Sequence, residues 1–172
     1  MKYLLSLLLM VLLPSVSFSQ KDTSYIEIDT SSLFINYTLT EVILDNFVRD
    51  ACEYGLDSLE VINHIKHLDA IYTSELDSNK LGSTIYVTDT LSPIVIRGII
   101  LIDYNLTMNY SIFQLTIYHE LGHWFGLDHG KGIMSENSEN VFKSLHNWDR
   151  NVRKLMKEIK KNNYSYPESD LE

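Results

Sequence analysis

Two histidines and a glutamate have the clearest capacity for chemistry in this sequence, in the order His119-Glu120-Leu121-Gly122-His123. Residues four apart lie on the same face of a helix, so His119 and His123 can direct their imidazoles at one metal ion. Glu120 directly follows the first histidine and projects to the side, where it can reach a water on that metal. The spacing predicts a metal-binding helix with a general base beside the metal.

A glycine and a third histidine follow at a spacing that completes the site. Gly126 is predicted to end the helix with a positive φ and to reverse the chain, so that His129 returns to the same ion. Three protein ligands leave a fourth position for water, as in catalytic zinc sites. The five fixed positions would occur by chance in on the order of one in ten thousand chains of this length. Incidental histidines on a surface helix are therefore the weaker interpretation.

The pattern H-E-x-x-H-x-x-G-x-x-H at residues 119–129 resembles that of the metzincin clan of zinc endopeptidases. The clan also has a methionine in a turn beneath the metal, and Met134 stands where that structural residue is expected. Gly130, after the third histidine, and Ser135-Glu136, after the methionine, differ from the better-known subfamilies. The subfamily is therefore open between a matrixin-like and an orphan, bacterial-type minimal metzincin.

This resemblance implies a secreted enzyme that hydrolyses peptide bonds, with Zn²⁺ held by His119, His123 and His129. Glu120 would take a proton from the zinc-activated water and deliver it to the leaving amine. In the family, the substrate runs antiparallel to an edge strand above the cleft, which we expect within Ile94–Ile102. Two alternatives stay open: a secreted zinc-binding pseudoenzyme or interaction protein, and a zinc amidase acting on cell-wall peptide cross-links.

The flanking sequence predicts the elements that would position this site. Asn109–Phe125 is apolar on nearly every side, which is typical of a buried helix. Thr38 and Glu41 have capping-box spacing for an earlier helix that Gly55 would end. With the resemblance, the predicted fold is α+β and zincin-like: a mixed twisted sheet with a backing helix, the buried active-site helix, and a short C-terminal subdomain ending in a helix. The expected strands are Leu33–Leu39, Ala70–Thr73, Thr84–Thr88 and Ile94–Asp103. Gly98 is expected to divide the last strand or to mark a bulge in it. The expected final helix is Val141–Lys161.

Three further residues that carry reactive groups are predicted to have no part in the chemistry. Cys52 lies on the apolar stripe of the helix before Gly55, so we expect a buried and inert thiol. His64 and His67 have no partners at metal-ligand spacing, so we expect surface or structural roles for both.

The first nineteen residues have the character of a signal peptide. Lys2 precedes the apolar run Leu4–Leu13, and Ser17 and Ser19 are the small residues of a cleavage site. The run is too short to span a bilayer comfortably, so we expect a secreted or periplasmic protein with no stable membrane insertion after signal removal. The predicted divisions are a signal peptide (1–19), an N-terminal extension or short pro-segment (20–32), a metallopeptidase catalytic domain (33–161) and a flexible tail (162–172).

The overall composition narrows the class of partner. The 172 residues include 14 Lys and Arg against 23 Asp and Glu, a net charge of −9. This balance argues against nucleic-acid binding, which usually needs a basic face. A single cysteine excludes a disulfide framework or a cysteine zinc site within one chain. We expect a monomer acting on a protein or peptide substrate.

Overall fold

A computed structural model describes residues 37–76, 80–89 and 92–163 of the chain. The predicted signal peptide, the segment 20–32 and the tail beyond residue 163 lie outside the described residues. Of the strand predicted over Leu33–Leu39, the described end is helical, because the first helix begins at Tyr37. No helix in the described ranges is long and apolar enough to cross a membrane. In chain order the elements are α1 (Tyr37–Glu53), α2 (Ser58–Ile65), β1 (Leu68–Ser74), β2 (Gly82–Asp89), β3 (Ser92–Asp103), α3 (Tyr110–Trp124), α4 (Ser138–Lys143) and α5 (Trp148–Lys161).

Strand β3 is the centre of a mixed sheet with the strand order β1-β3-β2. It runs parallel to β1, with Ile100 opposite Ile71, and antiparallel to β2, with Ile100 opposite Thr84. The predicted α+β fold with a mixed sheet is therefore confirmed. The prediction of an edge strand within Ile94–Ile102 is wrong for residues 98–102, which lie between β1 and β2, whereas residues 94–97 pair with β2 alone in the described sheet. A continuous β-branched run indicates a strand covered on both faces and does not distinguish a central strand from an edge strand. The edge next to the antiparallel pairing is β2.

The predicted irregularity at Gly98 is a bulge in the pairing with β1, where Asp69 is the extra residue, and not a break in β3. Strand β3 is continuous from Ser92 to Asp103. Its register with β1 shifts at the glycine, since Leu68 lies opposite Gly98 whereas Ala70 lies opposite Ile99. A bulge adds local twist to the strand pair, at the point where the parallel pairing with β1 begins.

Helix α3 packs closely on one face of the sheet at a glycine. A Cβ at Gly98 would overlap the ring of the fully buried Trp124. The same indole stacks on Tyr86 of β2, with ring centroids 5.7 Å apart, and donates a hydrogen bond to the carbonyl of His64 at 3.1 Å. The imidazole Nε2 of the buried His64 donates to the carbonyl of Trp124 at 3.0 Å. His64 therefore has the structural role predicted for it, holding α2 to the end of α3.

Gly98→Ala is expected to destabilise the protein by about 1–3 kcal/mol, the usual cost of overpacking a core. The added methyl group would collide with the Trp124 ring, and backbone or indole would have to move. Urea unfolding of the metal-free protein measures the change in free energy. Gly130→Ala is a matched control, since a Cβ there meets nothing within 4 Å. Equal unfolding free energies for the two variants would show that Gly98 is not required for this contact.

Helix α1 supplies one wall of the core. Ile43, Phe47 and Ala51 are fully buried, and Gly55 follows the helix with a φ of +83° as its predicted stop. The prediction that Cys52 is buried is wrong, because its side chain is exposed. One residue beyond Ala51 is a rotation of about 100° around the helix, which carries the thiol off the buried face.

The C-terminal part of the chain contains two helices where one was predicted. The expected helix Val141–Lys161 is interrupted by a 3₁₀ turn at Ser144–Asn147, between α4 and α5. The Asn151 side chain donates to the carbonyls of Ser144 and Asn147, and the Ser144 hydroxyl to the carbonyl of residue 140. Such side-chain bonds compete with a regular helix. The last element of the described residues is still a helix, α5. Its buried residues join the core shared by α1 and α3: Val152, Leu155, Met156 and Ile159.

Candidate metal centre

Two of the predicted ligands lie one turn apart on α3, and each imidazole is fixed through its Nδ1 atom. His119 Nδ1 donates to the carbonyl of Ile133 at 2.6 Å, and His123 Nδ1 donates to the carbonyl of Leu127 at 2.8 Å. A carbonyl oxygen can only accept, so Nδ1 carries the proton in both rings and Nε2 keeps its lone pair. Hydrogen bonds of this kind are what orient histidine ligands in metal sites.

The predicted turn after α3 brings the third histidine back to the helix. Gly126 has a φ of +76°, and its N–H donates to the carbonyl of His123 at 2.7 Å. The left-handed backbone at a glycine is the closure expected where a helix stops abruptly. The chain then reverses, and the ring of His129 meets that of His123 with centroids 4.6 Å apart.

This turn is also held from the far end of the chain. The side-chain amide of Asn162, directly after α5, donates to the carbonyls of Phe125 and Gly126 at 3.0 and 3.1 Å. Phe125 is the C-cap of α3 and Gly126 follows it, so Asn162 supplies a donor to two carbonyls where the chain leaves the helix. The C-terminal helix therefore helps to fix the turn that positions His129.

The three histidines converge through their Nε2 atoms. Nε2 of His123 lies 3.1 Å from Nε2 of His119 and 3.1 Å from Nε2 of His129. One ligand atom from each residue lies within 4.8 Å of the other two. The Nε2 lone pairs of His119 and His123 repel one another at this distance unless a cation lies close to both. The three residues could therefore bind a metal ion, as the spacing predicted.

Burial keeps the two helix histidines neutral. It lowers the pKa of His119 to about 4, although the hydrogen bond to Ile133 acts in the opposite direction. Burial also lowers the pKa of His123, again opposed by its hydrogen bond to Leu127. Neutral imidazole is the form that binds a metal, so both residues are in that form at neutral pH.

The carboxyl group of Glu120 is enclosed between α3 and strand β2, with only 4% of the residue exposed. The hydroxyl of Thr84 donates to Oε2 at 2.7 Å and lies 3.0 Å from the backbone carbonyl of the same residue. Gly82 leaves room for the carboxylate, because a Cβ there would lie 2.7 Å from Oε1. Burial raises the pKa of Glu120 to about 7, while the Thr84 hydrogen bond acts to lower it.

Strand β2 contributes three residues that were not predicted to belong to the site. Gly82 and Thr84 contact Glu120, and the hydroxyl of Tyr86 donates to the carbonyl of His123 at 2.6 Å. Their alternate spacing places them on one face of the strand. That spacing was readable in the sequence, but no local pattern connects it to a helix 36 residues further along the chain.

Met134 lies in a 3₁₀ turn under α3 and is almost fully buried. It packs against Gly122, where any Cβ would overlap its sulfur atom. The carbonyl of Met134 accepts a hydrogen bond from the N–H of Gly130, and the preceding residue, Ile133, supplies the carbonyl that holds the His119 ring. Packing at Met134 thus fixes the backbone that orients a ligand.

Met134→Leu is expected to keep the metal, at a stability cost below about 1.5 kcal/mol, since leucine has nearly the same volume. The bond from His119 to Ile133 involves only the backbone of this turn and should persist. Metal content by mass spectrometry and urea unfolding measure the two effects. A loss of metal as large as in His129→Ala would show that Met134 does more than support the site.

An open cavity of about 510 Å³ adjoins the exposed side of the cluster. It is lined by His129, Gly130, Ser135, Glu136 and Asn137. This cavity leaves room for a ligand beside the third histidine. No protein-family model, curated protein or solved structure matches the chain. The chemistry of the site is therefore inferred from its own residues.

Proposed function

We propose that this protein is a secreted, zinc-dependent endopeptidase of the metzincin type, with Glu120 as general base and acid. The observation that carries the proposal is the convergence of three histidine nitrogens beside a buried glutamate that is not one of the ligands. A structural zinc site has four protein ligands and no use for such a carboxylate, whereas hydrolysis needs a group that accepts and returns a proton.

Zinc suits this set of donors. It binds neutral imidazoles at about 2.0–2.1 Å, so two nitrogens on a tetrahedral ion lie about 3.3 Å apart. The separations of 3.1 Å on either side of His123 are close to that value. Calcium and magnesium prefer oxygen ligands, which the cluster does not offer. His119, His123 and His129 would hold the ion and leave one coordination position for water or substrate.

Glu120 is placed to move protons during the reaction. A bound zinc ion would supply Lewis acidity towards the substrate carbonyl and lower the pKa of a water. Glu120 takes a proton from the attacking water and gives it to the amine that leaves. Its enclosure by β2 keeps most solvent from the carboxylate.

Strand β2 is where we expect the substrate backbone to bind. It is an edge of the described sheet, and its residues Gly82 and Thr84 contact Glu120. An extended peptide can add to a sheet edge through main-chain hydrogen bonds. The metzincin resemblance implies a substrate antiparallel to an edge strand, and β2 takes the place predicted for Ile94–Ile102.

Cleavage of a diverse peptide library tests the proposal. Zinc-loaded protein starting at Gln20 should cut peptides internally, as mapped by mass spectrometry. Activity should disappear with a chelator and return with zinc. Cross-linked cell-wall fragments, assayed in parallel, distinguish an endopeptidase from a cell-wall amidase. Zinc binding without cleavage of either substrate would contradict the proposal and favour a binding protein.

A further inference from the structure

We propose that strand β2 gives the two carboxylate oxygens of Glu120 different roles: Thr84 anchors Oε2, and Oε1 transfers the proton. This inference rests on the proposed function of Glu120 and extends it by making Thr84 a positioning residue. It follows from three observations around the carboxylate: the hydrogen bond to Oε2, the absence of a hydrogen bond to Oε1 from the described residues, and the space left by Gly82.

The hydrogen bond from Thr84 to Oε2 restrains the carboxylate to one orientation. The Thr84 hydroxyl is 2.7 Å from Oε2 and 3.0 Å from the backbone carbonyl of Glu120. It therefore touches the side chain and the helix backbone of the same residue. Hydrogen bonds to charged groups are stronger than those between neutral groups, and Thr84 is itself buried. Rotation of the carboxylate would break this bond.

The second observation concerns Oε1, for which the described part of the chain supplies no hydrogen-bond donor. No fully buried side-chain oxygen or nitrogen among the described residues lacks a partner. Oε1 therefore keeps some contact with solvent, through the 4% of Glu120 that is exposed. A proton acceptor must be reachable by the proton that it takes, and Oε1 is the oxygen that has no hydrogen-bond partner in the described part of the chain.

The third observation is the space at Gly82. A Cβ there would lie 2.7 Å from Oε1 and 2.9 Å from Cγ of Glu120. Any side chain at this position would push the carboxylate away from the orientation that Thr84 holds. Glycine at residue 82 and threonine at residue 84, on the same face of β2, together specify which oxygen is open.

The proton balance of the step is simple. An O–H bond of the attacking water breaks, its proton goes to Oε1, and the electron pair stays on the oxygen that bonds to the substrate carbonyl carbon. When the C–N bond breaks, the proton on Oε1 goes to the leaving nitrogen. Oε2 keeps its bond from Thr84 throughout, so the carboxylate need not turn between the two transfers.

Thr84→Val and Thr84→Ser test the anchoring role, because valine removes the hydroxyl at almost constant shape and serine keeps it. For Thr84→Val we expect full zinc content and little change in KM. We expect kcat to fall by about 10- to 100-fold, because the variant loses one hydrogen bond to a charged group. Thr84→Ser should return kcat to within about threefold of the parent. Thr116→Val is the control, because it removes a buried hydroxyl that bonds to the carbonyl of Ile112.

Crystal structures of the metal-free parent and both variants give a readout that does not depend on activity. One carboxylate oxygen of Glu120 should lie within hydrogen-bond distance of the hydroxyl of residue 84 in the parent and in Thr84→Ser, and the carboxylate should turn away from residue 84 in Thr84→Val. An unchanged carboxylate in Thr84→Val, a kcat equal to the parent, or a serine variant as impaired as the valine variant would each overturn the inference. If the parent hydrolyses nothing, the proposed function fails separately, and the carboxylate orientation in the crystals still decides whether Thr84 anchors Oε2.

Discussion

Glu120→Gln is expected to retain zinc and the fold while hydrolysis falls by at least the 10²- to 10⁴-fold typical of losing a general acid–base. Glutamine keeps the shape of the buried side chain, and its amide oxygen can still accept from Thr84. The amide nitrogen would then stand where Oε1 stands. It donates hydrogen bonds and cannot take a proton, so the site would stay intact and inert.

The measurements for this prediction are kcat/KM on a cleaved peptide and zinc content by mass spectrometry. Glu60→Gln, on the exposed surface of α2, is the matched control and should behave as the parent. Glu120→Ala should also keep zinc and lose hydrolysis. A Glu120→Gln variant that releases zinc would identify Glu120 as a ligand, and the metzincin assignment would fail. A variant that cleaves as well as the parent would exclude Glu120 as the base.

Replacing His119, His123 or His129 with alanine is expected to weaken zinc binding by about 100- to 1,000-fold. Four protein ligands bind a structural zinc ion with roughly 10–16 kcal/mol, so one ligand accounts for several kcal/mol. Each histidine supplies one of the converging nitrogens, and in the described chain no other histidine, cysteine or acidic residue completes the group. Loss of any one should also remove hydrolysis.

Competition with a zinc-sensitive dye measures the affinities, and thermal unfolding with added zinc gives an independent check. Zinc should raise the melting temperature of the parent, since a ligand that binds only the folded state stabilises it. His146→Ala removes an exposed histidine outside the cluster and should bind zinc as the parent does. Undiminished affinity in His129→Ala would reduce the site to two histidine ligands and contradict a catalytic zinc centre of the proposed kind.

The convergence of the three histidines could be predicted from the sequence because their geometry is local. His119 and His123 are related by one helical turn, and the reversal that returns His129 needs only a glycine with positive φ, which Gly126 provides. Helix periodicity and turn chemistry determine these positions within eleven consecutive residues. Local patterns of this kind depend little on the rest of the fold.

The surroundings of Glu120 could not be predicted because they depend on strand order. Hydrophobic pattern showed that residues 94–103 form a strand, but not that this strand is central and that β2 adjoins the helix. Thr84 and Gly82 consequently had no visible relation to Glu120. The burial of Cys52 was mispredicted for a similar reason. The apolar stripe on α1 showed which side of the helix is buried, but not how far around the helix the burial extends.

The hydrogen bonds from Asn162 to the end of α3 have a consequence for how the protein is made. A chain is synthesised from its N-terminus, so all three histidines have emerged once residue 129 has. The amide that holds the carbonyls of Phe125 and Gly126 follows 33 residues after His129, at the end of α5. The nascent chain thus carries all three histidines well before it carries the part that secures the turn between them. The histidine cluster is fully braced only after α5 has been made and has docked, so any metal binding that needs this turn in place would follow the synthesis of α5.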